Sequence, residues 1–424
     1  MERALNSPAG LLIGYLIIHM GFLVFSLAFS MRGAALGDTA IYREWMLNGF
    51  SSENPNGGPS ASVYPILAVV PMAIAGLAGH QLFFSGWVLM VTVLNGLALA
   101  KLTSWGRRQK AIRAAWWWLV FTVLLGFVGF SRVDGVTAPI VLIALAFGVS
   151  APFIAALLLS IGTWIKVWPA AVLLALFAVT KSRVLLLTAG ILVTGAAVGL
   201  ASLMGWLPAL MNFLTLQGSR GMQLEATFST PWLWLAVLGV DGSRTYLNVG
   251  IGSMQLDGPG TELMAVLMQP LLILVALLVA GLIFWALHNG KRAGGQDRSE
   301  LLLVGSLAMA TAFVVFNKVG SPQFVLWLGP AVAVGLAHNW KEWRVPAAFL
   351  TVIAVATFFV FPVLFQPLSH NNPFAALVLT VRNLLLVVLL LWSLRRLYAL
   401  GKEPRNPEAD ELQEKAPEQR STAA

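Results

Sequence analysis

Long apolar runs broken by short charged clusters dominate this chain. Candidate hydrophobic spans lie at 11–30, 82–100, 114–130, 184–204, 263–287, 301–316, 324–337, 345–365 and 374–394. Most are near the roughly 20 residues, with a range of about 17–25, that a helix needs to cross a bilayer core, while 301–316 and 324–337 are shorter. Three more stretches, 63–79, 136–164 and 168–180, are apolar but broken or of awkward length. The pattern predicts an all-α polytopic membrane protein. Composition agrees, with 58% hydrophobic and 11% charged residues, against about 25% charged in a soluble domain. That balance excludes a cytosolic enzyme, a disordered chain and a secreted disulfide scaffold. The chain has no cysteine, so thiolate metal sites and cysteine nucleophiles are excluded too.

Charge sets the expected parity. Basic clusters occur at 101–113, 181–183, 291–298 and 341–344 and again from Arg395, and basic loops favour the cytoplasm. To keep all of them on one side, 63–79 must stay a juxtamembrane or re-entrant helix. The stretch 136–164 must split into two short helices, 136–149 and 152–164. Short helices are tolerated where protein or a cavity surrounds them. The count becomes about 12 spans with both termini cytoplasmic: a tail over 1–10, a membrane domain over 11–394 and a disordered tail over 395–424. A rival arrangement, in which 63–79 crosses and 136–164 crosses once, strands 101–113 outside and Asp134 inside. The net charge of +9 therefore records topology rather than a nucleic-acid partner.

The expected outer face gathers the residues with chemical potential. They are Asp38 and Tyr42 in the first loop with Glu53 and Tyr64, then Arg132 and Asp134, then Lys166 beside Trp168. Arg220 and Glu225 follow in the long loop 205–262, and Lys318 and Gln323 in the next. Lys166 stands inside a nearly continuous apolar run, where a lysine costs about 2.5–3.5 kcal/mol on insertion scales and marks a functional site by default. Its structural alternative is a lysine snorkelling between Trp164 and Trp168. Asp38 could be a plain N-cap for 39–48, Asp134 a loop ion pair, and Arg382, inside the last span, a structural pair or a site residue. The sequence lacks a zinc-binding histidine pattern, a Gly-x-Ser-x-Gly elbow, a nucleotide-binding glycine loop and a clear internal repeat.

These features resemble the GT-C superfamily of membrane glycosyltransferases. The marks are a first-loop aspartate shortly before a tyrosine, Tyr64-Pro65 at that loop's end, and Asp134-Gly135 outside the third span. Residues 162–170 (GTWIKVWPA), 220–232 (RGMQLEATFSTPW) and 321–327 (SPQFVLW) are similar to glycosyltransferase family 87. Tyr64-Pro65-Ile66 departs from it, with one proline where such loops often carry two. The resemblance implies an inverting α-mannosyltransferase that takes sugar from a polyprenyl phosphate and builds a cell-envelope glycolipid or glycan outside the plasma membrane. It implies Asp38 as general base and Lys166, Arg220 and Lys318 on the donor phosphate. Asp134, Glu225, Tyr42, Tyr64, Gln323 and Trp168 would serve sugar and acceptor, or hold the cations. The lipid tail would lie beside the short helices of 136–164. A divalent metal is left open, because no ligand spacing demands one. The alternatives are an arabinofuranosyl or other pentosyl transferase and a transporter or flippase for a lipid-linked sugar.

Overall fold

The computed structural model describes residues 7–47, 63–213, 221–249, 252–292 and 297–402. It is helical almost throughout. In chain order the helices are α1 (Pro8–Ser30), α2 (Thr39–Leu47), α3 (Val69–Gly76), α4 (Gly79–Leu102), α5 (Ile112–Leu124), α6 (Val133–Phe147), α7 (Pro152–Ile165), α8 (Pro169–Val179) and α9 (Arg183–Leu203). Then follow α10 (Thr230–Val237), α11 (Thr261–Arg292), α12 (Arg298–Val315), α13 (Gly329–His338), α14 (Trp340–Phe358), α15 (Phe365–Ser369) and α16 (Pro373–Leu400). Among the described residues, eight helical segments are long and apolar enough to cross a membrane.

Burial is inverted relative to a water-soluble protein. On α1 the buried residues include His19, Ser26 and Ser30, while Leu12, Ile13, Ile17, Met20 and Val24 face outward. In water each such aliphatic side chain would forgo about 1.5–3 kcal/mol. Facing lipid they forgo nothing, and the polar side chains bond across helices instead. Ser30 Oγ, for example, lies 2.9 Å from Ser85 Oγ on α4. Hydropathy follows position in the bundle. The peripheral α11 averages 2.7 and the central α12, buried over most of its length, only 1.5.

The bundle has two distinct ends. At one, Arg108 donates to the Ala337 carbonyl at 2.9 Å and Arg298 to the Val179 carbonyl at 2.6 Å. There Arg396 reaches Glu300 at 3.7 Å and Glu342 at 3.5 Å. The basic clusters at 101–113, 181–183 and 341–344 therefore meet at one end, with Arg298 and Arg396. Pro8 sits there as well, against Gly106. At the other end lie residues 37–38, 64, 131–134, 165–168, 221–230 and 317–324.

The stretch 136–164 does divide, into α6 and α7, packed side by side. Gly148 (φ +48°) makes the turn and Pro152 opens α7 at a first-turn position, where its missing N–H costs no helical bond. The stretch 63–79 forms a 3₁₀ turn, Ile66–Ala68, and the short α3, which folds back on α4. At 1.5 Å per residue, the eleven residues from Ile66 to Gly76 span only about 16 Å.

The 345–365 run lies in one candidate span, Trp340–Val363, within which α14 gives way at Phe359–Val363 to a kinked turn containing Pro362, which cannot complete the helical ladder. Two expectations need correction. The supposed tail from 395 begins inside a helix, since α16 continues to Leu400; residues 403–424 lie outside the described residues. The loop 205–262 is partly built, with α10 and an antiparallel hairpin of β1 (Arg244–Asn248) and β2 (Ser253–Asp257), which pairs Arg244 with Asp257 and Asn248 with Ser253.

Candidate functional site

The end opposite the basic clusters holds a cavity of about 1560 Å³. Asp38, Tyr42, Tyr64, Lys166, Trp168, Glu225, Lys318 and Gln323 all line it. They come from five separate parts of the chain. Asp134 sits behind the wall, fully buried, and Arg220 and Glu53 lie outside the described residues.

Asp38 immediately precedes α2. Its side chain does not serve as a simple cap. It forms an ion pair with Arg132, and its Oδ2 accepts from the Tyr64 hydroxyl at 3.3 Å. The Tyr42 hydroxyl stands one helical turn on, 3.4 Å from Asp38 Oδ2 and 3.1 Å from the Tyr64 hydroxyl. It also accepts from the Val133 amide at 3.4 Å. Burial pushes the Tyr42 phenol well above its ordinary range, so it keeps its proton.

Arg132 was not among the expected site residues, yet it lines the cavity. Its backbone is extended just before α6, and this sends its side chain toward Asp38. Asp134, in the first turn of α6, points into the bundle instead. Its Oδ2 accepts from Lys166 at 2.7 Å and its Oδ1 from Trp327 Nε1 at 2.5 Å. Burial lowers the Arg132 guanidinium, while the charges of Asp134 and Glu225 act to raise it. The sequence signal for Arg132 was its place beside Asp134 in an outer loop.

Lys166 ends α7 in extended backbone. Aromatic faces surround its ammonium, with ring centres of Tyr64 at 5.2 Å, Phe324 at 5.3 Å and Trp327 at 5.9 Å. Trp168 stacks on Trp327 with centroids 5.5 Å apart and rings 5° from parallel. The Trp168 indole donates to Thr137 at 2.9 Å. The lysine is thus held by a carboxylate and three rings inside the wall, which the snorkelling alternative does not require. Phe324 and Trp327 belong to the 321–327 segment but were not singled out beforehand.

The third wall is the segment around Glu225. Its backbone carbonyl accepts from Arg382 at 2.6 Å, and Asn383 bonds Thr230 Oγ1 at 2.9 Å. Arg382 is therefore a clamp within α16 that fixes the 225–230 segment. The Gln223 amide donates to the Lys318 carbonyl at 2.9 Å, and the Gly320 amide to Gln223 Oε1 at 3.0 Å. A Cβ on Gly320 would overlap the Glu225 carbonyl, so only glycine permits this approach. Glu225 Oε2 and Gln323 Oε1 are buried and carry no hydrogen-bond partner within the protein. Burial pushes the Glu225 carboxyl up; its own and the Gln223 hydrogen bonds and the Arg382 and Arg132 charges oppose it.

The remaining wall is largely apolar. Ala265, Val266, Met268 and Leu272 of α11 supply it with Phe313, Phe361 and Phe365, and Thr261, Glu262 and Gln269 of the same helix add polar groups. No residue of 136–164 lines the cavity. The expected lipid groove beside those helices is therefore not part of this cavity, because α6 is buried against its neighbours. Among the described residues, no group of three histidine, aspartate or glutamate side chains converges to hold a metal ion. The arrangement can accept a proton at Asp38, meet an anion at Lys166 and Lys318, and bind hydroxyls at Glu225 and Gln323. No protein-family model and no curated protein matches the chain.

Proposed function

We propose that the cavity transfers a sugar from a polyprenyl phosphate to a hydroxyl of a glycolipid or glycan, as the resemblance to GT-C enzymes implies. One observation carries this reading. A carboxylate held by an arginine and two tyrosines shares a single cavity with Lys166 and with an apolar wall from the lipid-facing helix α11. A reaction between a lipid-borne anion and a polar acceptor needs both kinds of surface in one place.

Asp38 accepts the proton of the acceptor hydroxyl as its oxygen bonds to the anomeric carbon. The bond from that carbon to the phosphate oxygen breaks, and its electron pair leaves with the polyprenyl phosphate. Phosphate is already a stable anion, so no general acid is required; Lys166 and Lys318 stabilise the departing charge. A single displacement inverts the anomeric centre, so a β-linked donor gives an α-linked product. Glu225 and Gln323 accept hydrogen bonds from sugar hydroxyls. Trp168 stacks on Trp327 behind Lys166, and the lipid chain runs along α11. The donor sugar is mannose in this reading.

The protein is read as a multi-pass enzyme of the plasma membrane with about 12 crossings, cytoplasmic termini and an extracytoplasmic cavity. In support, the basic clusters gather at one end and the cavity lies at the other, and cytoplasmic loops carry excess Lys and Arg. The test is to incubate membranes containing the protein with radiolabelled polyprenyl-phosphate mannose and a lipid extract. A labelled glycolipid should form, and Asp38→Asn should lower its rate by about 10²–10⁴-fold, the range of general-base catalysis, with expression unchanged. Normal turnover by that variant would rule out Asp38 as the base.

A further inference from the structure

The ion pair at Asp38 poses a chemical difficulty for the base assigned above. A carboxylate that accepts a charge-assisted bond from a guanidinium is a poorer base than a solvated one. Asp38 is so paired, and Tyr64 donates to its other oxygen. Arg132, Tyr42 on α2 and Tyr64 contact it, and the same cavity is lined by Lys166, Glu225, Tyr246, Asp257, Glu262 and Lys318. The Arg132 guanidinium is in direct contact with the carboxylate.

We infer that Arg132 is an exchangeable partner of Asp38: a phosphodiester entering the cavity draws the guanidinium onto itself and leaves Asp38 free to take up a proton. The inference rests on the reading of the cavity as a polyprenyl-phosphate site and names a positioning residue for that reaction. Its basis is geometric. Arg132 and Asp38 both line the cavity, with side chains 15% and 21% exposed, so an anion can reach the pair. The Arg132 Nε is buried without a hydrogen-bond partner, so this guanidinium has an unused donor. Asp134, two residues along, is turned into the bundle, where its oxygens accept from Lys166 and Trp327. A phosphate offers the planar guanidinium a bidentate partner. The exchange couples donor to base: Asp38 regains the basicity of an unpaired carboxylate only when the leaving group is in place. In the donor-free protein the paired carboxylate is held too weakly basic to activate water or acceptor.

The test uses farnesyl methyl phosphate, a diester with no sugar and no proton that titrates in the range examined. The purified protein in lipid nanodiscs is titrated with it by calorimetry, in two buffers of different ionisation enthalpy, across about pH 4–6, the carboxylate range. Binding to the wild type should take up a fraction of a proton per diester, under about half at pH 4 and falling toward zero by pH 6, as the protonation of an ordinary aspartate does. Asp38→Asn should bind without uptake. Arg132→Gln should bind at least tenfold more weakly and also without uptake, because its Asp38 is already released. Glu225→Gln should keep the uptake. The inference is overturned if the diester does not bind the wild type or binds without proton uptake, if uptake survives Asp38→Asn, or if Glu225→Gln removes it. Sugar transfer without coupled uptake would sink the exchange and leave the transferase reading standing. Coupled uptake without transfer from any polyprenyl-phosphate sugar would do the reverse.

Discussion

Lys166 and Asp134, 32 residues apart, form an ion pair of 2.7 Å whose carboxylate is almost wholly buried. The same carboxylate anchors the Trp327 indole at 2.5 Å. It therefore joins α6, the α7–α8 turn and the 3₁₀ turn before α13. Removing one partner of a buried pair leaves the other charge uncompensated, at about 3–5 kcal/mol, whereas removing both costs much less. Asp134→Ala should lower the thermal unfolding temperature in detergent more than the double variant Asp134→Leu with Lys166→Met. Equal losses in the two would show that the pair contributes no buried charge compensation.

Glu225 supplies a pH dependence. Burial raises its carboxyl above the usual carboxylate range, so its folded-state pKa exceeds the unfolded one. Such a group contributes stability that is complete below the unfolded pKa and is lost as pH rises through the folded pKa. Glu225→Gln stays neutral throughout. The melting temperature of the wild type relative to this variant should therefore fall as pH rises from about 4 to 7, the window above the ordinary glutamate pKa. A constant difference would contradict the raised carboxyl.

Gly320 tests the close approach between the two loops of the cavity. A methyl group there meets the backbone of Glu225 and Ala226, neither of which is a flexible side-chain end. Gly320→Ala should displace the 317–323 loop, cost about 1–3 kcal/mol as overpacking does, and reduce any cavity activity. Gly281 on α11 has open space around its Cβ position, so Gly281→Ala is the matched control and should leave both unchanged. Unaltered stability and activity in Gly320→Ala would mean that the loops are not in contact.

Topology can be read by labelling, because the chain has no native cysteine. Arg107→Cys lies exposed at the basic end, and Leu247→Cys lies exposed on the hairpin at the cavity end. In intact cells a membrane-impermeant maleimide should modify the second and spare the first until the membrane is opened. The opposite pattern would turn the protein over and place the cavity in the cytoplasm.

The value of the sequence differed from feature to feature. The split of 136–164 was legible because it keeps the basic clusters on one side; Gly148 and Pro152 make the break itself. The grouping of Asp38, Tyr42, Tyr64, Lys166, Glu225, Lys318 and Gln323 was legible because a bilayer restricts each loop to one of two sides. What stayed hidden was the kink at Pro362, the continuation of α16 through Arg395 and Arg396, and the hairpin at 244–257. Each depends on what packs against it rather than on its own hydropathy.

By itself, then, the chain determined its long apolar helices and the separation of its basic clusters from the cavity residues, because helix length and hydropathy are properties of short segments. Only the tertiary structure decided the partners. Arg132 bonds Asp38, 94 residues earlier by subtraction of their numbers, and not Asp134 two residues on. The reason is local geometry set by distant packing. Extended backbone at 132 aims the guanidinium at the cavity, and the first turn of α6 aims Asp134 into the bundle, where Lys166 and Trp327 satisfy it.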